Sequence, residues 1–299
     1  MSKLPHPLFW TGIFSDLINP AQLNLRPFKS RHSLLGDPAL ELETLTETLL
    51  RLPQNQVRYT TRRLDAGDNF EDTFRKNNGN KSLESTLRNM LSTDALIMVN
   101  SPEIDPIFQP IYEQIMDSVS ELVAYRDAKR RILMPTLYLF LASPNSVTPF
   151  HIDRYSTFLF QFRGTKDVYV GHPWDSRVVS NADCEAYVSY ANTQLPWCDE
   201  RQQQLEHFHF QPGEALHIPF VSGHLVKNGP DDISISLSVI FNTEQTMMWR
   251  RALNFNHRAR RALKPLRVAP APVGRNALRD ASKAKLWRTF QSARGMEGA

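Results

Sequence analysis

The sequence predicts a mainly β domain, a sandwich or barrel, with helical flanks, and two observations carry that prediction. Between Ile132 and Thr243, short runs rich in aromatic and β-branched residues recur, with Pro or Gly between them. Before and after that stretch, apolar side chains fall at helical spacing instead.

Residues 1–130 read as a mixed, mostly helical region. Pro38 to Leu52 is rich in Leu and Glu, and Pro106 to Val123 is apolar every third or fourth residue. Short β-like runs interrupt them at Val57 to Thr61 and at Ala95 to Asn100, while Asn77-Asn78-Gly79-Asn80 reads as a turn. The predicted strands of 131–243 lie at Thr136 to Ala142, Phe158 to Phe162, Asp167 to Val170, His207 to Phe210, Ala215 to Ile218 and Ile233 to Phe241. Several short strands with such turns are the pattern of a sandwich or barrel. From Glu244 the strands stop, and 244–299 reads as a helical extension. Its helices run from Trp249 to Leu263 and from Leu278 to Ala293, on either side of the stretch Pro265 to Pro272.

Charge divides the chain differently. Of 35 Lys and Arg and 31 Asp and Glu, 13 basic but only 2 acidic residues lie from Arg250 onward, which leaves 22 basic and 29 acidic for the rest. A basic tail on an acidic body suits an internal docking surface or an anionic partner. No run of about 18 apolar residues occurs, so no transmembrane helix is expected. The opening Met1 to Pro7 offers no signal-peptide core, and the expected location is the cytoplasm, with Cys184 and Cys198 as free thiols.

The segment that carries chemistry is Thr148-Pro149-Phe150-His151-Ile152-Asp153. Residues two apart on a strand share a face, so His151 and Asp153 would project together. A third metal ligand must come from elsewhere, and His224, after the strand and turn that end at Pro219-Phe220-Val221-Ser222-Gly223, can supply it. Two His and one carboxylate on one face of an octahedral iron leave three positions open. His207 and His209 have the same spacing but no third ligand at a turn, and read as a solvent-facing strand. His217 reads as packed and His172 as a loop residue. Thr157 should face inward with His151, Asp153 and Tyr155. Ser234, Ser236 and Ser238 either line a pocket or form a polar outer face.

From Ala142 to Thr243 the sequence resembles the JmjC-type, cupin-like 2-oxoglutarate oxygenases. The resemblance rests on Thr148 to Asp153, on Gln161-Phe162-Arg163-Gly164-Thr165-Lys166, on Pro212-Gly213 and Ile218-Pro219, and on His224 with Lys227-Asn228-Gly229. It implies a double-stranded β-helix, a cupin or jelly-roll barrel, in 131–243. It also implies Fe(II) held by His151, Asp153 and His224, which would be the catalytic centre. Lys166 matches the lysine that binds the far carboxylate of 2-oxoglutarate in the asparaginyl-hydroxylase branch, and Thr148 a hydroxyl that contacts the same carboxylate. The implied reaction hydroxylates a C–H bond of a peptide or small molecule, with release of succinate and CO2. Arg154-Tyr155-Ser156-Thr157 departs from the acidic or amide-bearing stretch of bacterial relatives, which bears on the substrate pocket.

The alternative is a non-catalytic cupin-like binding or regulatory protein, contacting nucleic acid through Arg250, Arg251, Arg258, Arg260 and Arg261. No nucleic-acid recognition motif accompanies those arginines. Trp249, Leu253, Phe255, Leu263, Leu278, Leu286, Trp287 and Phe290 are too many large apolar groups for a free basic arm, so the tail is expected to cover a surface. A homodimer contact through the C-terminal helices is the expected use, with packing on the chain's own barrel as the alternative.

Overall fold

The computed structural model describes residues 12–74, 81–125 and 131–293. The predicted turn at 77–80 lies outside them. In chain order the strands and helices are β1 (Phe28–Arg31), α1 (Leu42–Arg51), β2 (Val57–Thr60), α2 (Leu83–Arg88), β3 (Leu96–Asn100) and α3 (Gln109–Ala124). The central part comprises β4 (Leu133–Ala142), β5 (Val147–Ile152), β6 (Ser156–Arg163), β7 (Lys166–Val170), α4 (Asn181–Val188) and α5 (Asp199–Gln202). It continues through β8 (Glu206–Phe210), β9 (Glu214–Ile218), β10 (Gly223–Asn228) and β11 (Ser234–Asn242) to α6 (Glu244–Leu263) and α7 (Ala277–Ser292).

Two antiparallel sheets result. One has seven strands in the order β1-β9-β6-β11-β4-β3-β2, the other four in the order β5-β10-β7-β8. From β4 to β11 the chain crosses between sheets at every step except β7 to β8, so the two sheets enclose a common interior. The tight β6 to β7 turn needs Gly164: φ is +65°, and a Cβ there would lie 2.6 Å from the Ile233 carbonyl oxygen.

The residues before 131 do more than lie on this assembly. β2 pairs with β3, β3 with β4, and β1 with β9, so the short β-like runs extend the larger sheet. Behind that sheet Ile111, Ile115, Val119 and Leu122 of α3 are fully buried against Leu137, Leu139, Leu237 and Val239. The alternation seen in sequence follows: one face of β4 and β11 meets α3, the other faces the interior.

At the far end, α6 begins with a reciprocal cap in which Thr243 and Thr246 each bond the other's backbone N–H. This helix starts five residues before the predicted one. Trp249, Ala252 and Leu253 are buried in one cluster with Phe150, Ile152 and Leu225 of the smaller sheet and Phe220 of the connection before β10. Glu185 of α4, 1% exposed, is held by Arg260 at 2.7 Å and by Asn256 at 3.0 Å. The thiols are free, Cys184 buried and Cys198 exposed. Among the described residues no helix is long and apolar enough to cross a membrane.

Candidate metal centre

The neighbouring strands β5 and β10 bring the histidines together. His151 lies directly opposite His224 in their antiparallel ladder, and the two ring centroids are 4.1 Å apart. His224 was expected at the end of a turn; it is instead the second residue of β10, a strand too broken by Gly223 and polar residues to show in the sequence. Asp153 follows β5 and turns inward. Its Oδ1 is 4.0 Å from His151 Nε2 and its Oδ2 is 3.9 Å from His224 Nε2. The three ligand atoms lie within 4.8 Å of one another, and no other such group occurs among the described residues.

The orientation of each group has a visible cause. His151 Nδ1 meets the Pro149 carbonyl at 2.7 Å, and His224 Nδ1 meets the Ser222 carbonyl at 3.0 Å. A carbonyl only accepts, so each imidazole donates from Nδ1 and keeps its Nε2 lone pair facing the common centre. Thr157 faces inward as expected and donates to Asp153 Oδ2 at 2.7 Å. Phe70 stacks on the His151 ring with centroids 4.1 Å apart. Burial, and then the neighbouring His224, hold the His151 pKa well below the ordinary histidine range, so its imidazole stays neutral.

These groups open into a cavity of about 270 Å³ between the sheets, which Thr148 and Lys166 also line. Lys166, at the head of β7 and opposite Asn228 of β10, is 5% exposed. Its ammonium donates to Ser236 Oγ at 3.0 Å and meets no carboxylate among the described residues. Burial lowers its pKa from 10.5 to about 7. Ser234, Ser236 and Ser238 are buried, which excludes the polar outer face: Ser236 and Ser238 line the cavity, and Ser234 accepts from Gln161 at 3.1 Å.

The other histidines sort as expected. His207 and His209 are exposed and share Asp167 Oδ1, at 2.7 and 3.2 Å. His217 is buried, with Nδ1 bonded to the Thr157 carbonyl and Nε2 accepting from the Asn24 N–H. His172 is in an exposed loop.

Sequence reasoning missed the cap over the site. Phe70 and Glu71 of the segment 66–72 line the cavity, and the segment is tied down where the Phe150 N–H donates to the Ala66 carbonyl at 2.9 Å and Glu71 meets Arg154 at 2.6 Å. Arg154, 6% exposed, also donates twice to the Tyr187 carbonyl and lies between the rings of Tyr187 and Tyr190. The unusual arginine after Asp153 is therefore a tie for the cap. Its partner is 83 residues away, and only the departure from the family pattern marked the position.

This fold is also found in a solved structure of low sequence identity. The X-ray structure of ycfD from E. coli has a TM-score of 0.52 at 15% identity, covering 93% of this chain and 68% of that one. A second structure, of the E. coli ribosomal oxygenase YcfD, gives 0.46 at 13% identity over 93% and 68% of the two chains. A third, of YcfD with cobalt and succinic acid, gives 0.45 at 13% over 90% and 63%. No protein-family model and no curated protein matches the chain.

Proposed function

We propose that this chain is an Fe(II)- and 2-oxoglutarate-dependent oxygenase that hydroxylates a C–H bond of its substrate. On this reading the crossing strands β4 to β11 are a double-stranded β-helix, with the reaction centre between its sheets. The observation that carries the proposal is a compact set of two buried imidazole Nε2 atoms and one half-buried carboxylate, in one cavity with a buried lysine that meets no carboxylate among the described residues.

The donor set fits a divalent iron. Both Nε2 atoms have their lone pairs free, and Asp153 supplies one negative charge. Ligands about 2.1 Å from one ion sit roughly 3 Å apart when adjacent, so the present 3.9 and 4.0 Å separations need to close by about an ångström. His151, Asp153 and His224 would hold the ion. Lys166 would hold the far carboxylate of 2-oxoglutarate, with Thr148 as a hydroxyl donor. Iron with this cosubstrate supplies the oxidation of a C–H bond by dioxygen, yielding succinate and CO2.

The chain's own groups fix the geometry. The Pro149 and Ser222 carbonyls set the two imidazole tautomers, and Thr157 holds one Asp153 oxygen, turning the other toward the ion. Phe70 covers the outer face of His151 and keeps water from it. Lys166 is desolvated in advance, so a dicarboxylate that reaches it replaces a poorly compensated charge with an ion pair.

Succinate release from 2-oxoglutarate, measured with one equivalent of Fe(II) per chain, tests the proposal. We expect one bound iron, and turnover abolished in His151→Ala, Asp153→Ala and His224→Ala. Full iron occupancy with unchanged turnover in any of the three removes that residue from the centre.

A further inference from the structure

The cavity beside the metal centre leaves no buried charge for a substrate to pair with. Five charged residues line it: Arg58, Glu71, Asp153, Arg154 and Lys166. On the reading above, Asp153 serves the ion and Lys166 the cosubstrate. Glu71 and Arg154 neutralise each other at 2.6 Å, and the Arg154 guanidinium is further held by the Tyr187 carbonyl and by the rings of Tyr187 and Tyr190. Arg58, on β2, is exposed and stays in water. A charged group carried inward would lose its hydration and find no counter-ion, the costliest form of burial.

What the interior offers instead is neutral hydroxyl. Tyr138, Tyr155 and Tyr187 line the cavity, and none of their phenol oxygens has a hydrogen-bond partner among the described residues. All three stand near Asp153. Tyr155 follows it by two residues, the Tyr187 ring lies 4.4 Å from the guanidinium of the adjacent Arg154, and Tyr138 of β4 is opposite Ser238, which also lines the cavity. Burial first, and also the Asp153 carboxylate, raises all three phenols, Tyr138 to about 12, so at neutral pH each keeps its proton. A protonated phenol without a partner is a donor with nothing to donate to.

We propose, resting on the oxygenase reading, that the group the substrate presents to the metal centre is uncharged: a hydrocarbon frame against Phe70 and the tyrosine rings, bearing a neutral acceptor oxygen that Tyr138 and Tyr155 bind. Selectivity has two sources. A carbonyl or hydroxyl oxygen satisfies donors that the chain leaves unpaired, and it sheds little hydration on entry. A carboxylate or an amidinium of the same shape must be stripped of water with no ion to receive it, so the site discriminates against charge of either sign.

Isothermal titration of the full chain under nitrogen, with Fe(II) and saturating 2-oxoglutarate, tests this with three probes of one shape: benzamide, benzoate and benzamidine. We expect benzamide to bind at least about tenfold more tightly than either charged probe. Tyr138→Phe and Tyr155→Phe keep the ring and delete the hydroxyl, and each should weaken benzamide about fivefold while the thermal midpoint stays that of the parent. A charged probe that binds as tightly as benzamide overturns the inference. So does benzamide that fails to bind, or that binds equally well in both variants. Succinate formation by the same preparation in air separates the two readings. Turnover with binding that is indifferent to charge overturns this inference alone, whereas neutral-selective, tyrosine-dependent binding without turnover overturns the oxygenase reading alone.

Discussion

Lys166 shows how one buried side chain makes the stability of a fold depend on pH. Its folded-state pKa of about 7 lies below the ordinary lysine value of about 10.4. Between those values the unfolded chain keeps the proton and the ligand-free fold does not, so that fold gains stability as pH rises through the window. If Lys166 holds the far carboxylate as proposed, binding of 2-oxoglutarate has the opposite slope, because the dicarboxylate needs the ammonium. Affinity should be greatest below pH 7 and fall by up to about tenfold per unit above it. Titrations from pH 6 to 9 check this, with Lys166→Met expected to lose about 3–5 kcal/mol of binding. A flat profile with unchanged affinity in the variant means that the carboxylate is held elsewhere. The contrast with Ser236 shows which residues sequence can mark. Lys166 stood out because it follows Arg163-Gly164-Thr165 in a recognisable motif, whereas Ser236 belongs to an alternation that fits an inner or an outer face equally well. Burial decided that case: α3 covers the opposite face of β11, so the serine face turns to the interior between the sheets.

At the scale of elements, the strands were legible where alternation was strong and illegible where polar residues interrupt it. β4, β6, β9 and β11 carry dense aromatic and β-branched runs, and each lies within a residue or two of the predicted strand, or extends it. β10 carries His224, Lys227 and Asn228, so its pattern is too polar to read as a strand. The cap at 66–72 was invisible for another reason: it is held by long-range contacts and has no periodicity of its own. Those contacts make its behaviour predictable. Glu71→Ala leaves the Arg154 guanidinium buried without its carboxylate, although the Tyr187 carbonyl and two rings still hold it. Loss of one hydrogen bond between charged groups should cost about 1–3 kcal/mol. The cap should also open more often, because one of its ties to the two sheets is gone. Denaturant midpoints and limited proteolysis within 61–74 read both effects. An unchanged midpoint together with unchanged cleavage shows that the remaining contacts, such as the bond from Phe150 to Ala66, suffice to hold the cap.

For the whole molecule, the apolar residues of the C-terminal helices divide between two uses. Trp249 and Leu253 complete the core beneath β5 and β10, and Trp287 is buried with the Arg258 guanidinium over its ring at 5.4 Å. These residues pack within the chain itself, and a chain ending at Thr243 would expose Phe150, Ile152 and Phe220. Self-association therefore has to be probed with point variants, not by truncation. Leu278, 83% exposed, and Leu286, 56% exposed, remain on the outer side of α7, while Leu266 and Val268 lie exposed in the preceding connection. Around them the tail has 13 basic residues against 2 acidic, and the body before Arg250 has 29 acidic against 22 basic. A second copy of the chain offers both what those leucines need covered and the charge that complements the tail. The expected state is a homodimer at micromolar concentration, with Leu278→Glu and Leu286→Glu together shifting it to monomer while the thermal midpoint stays close to that of the parent. Light scattering at low and high salt measures this. A monomeric parent at those concentrations rejects the dimer, and tight, salt-sensitive binding to DNA or RNA would assign the basic surface to nucleic acid instead.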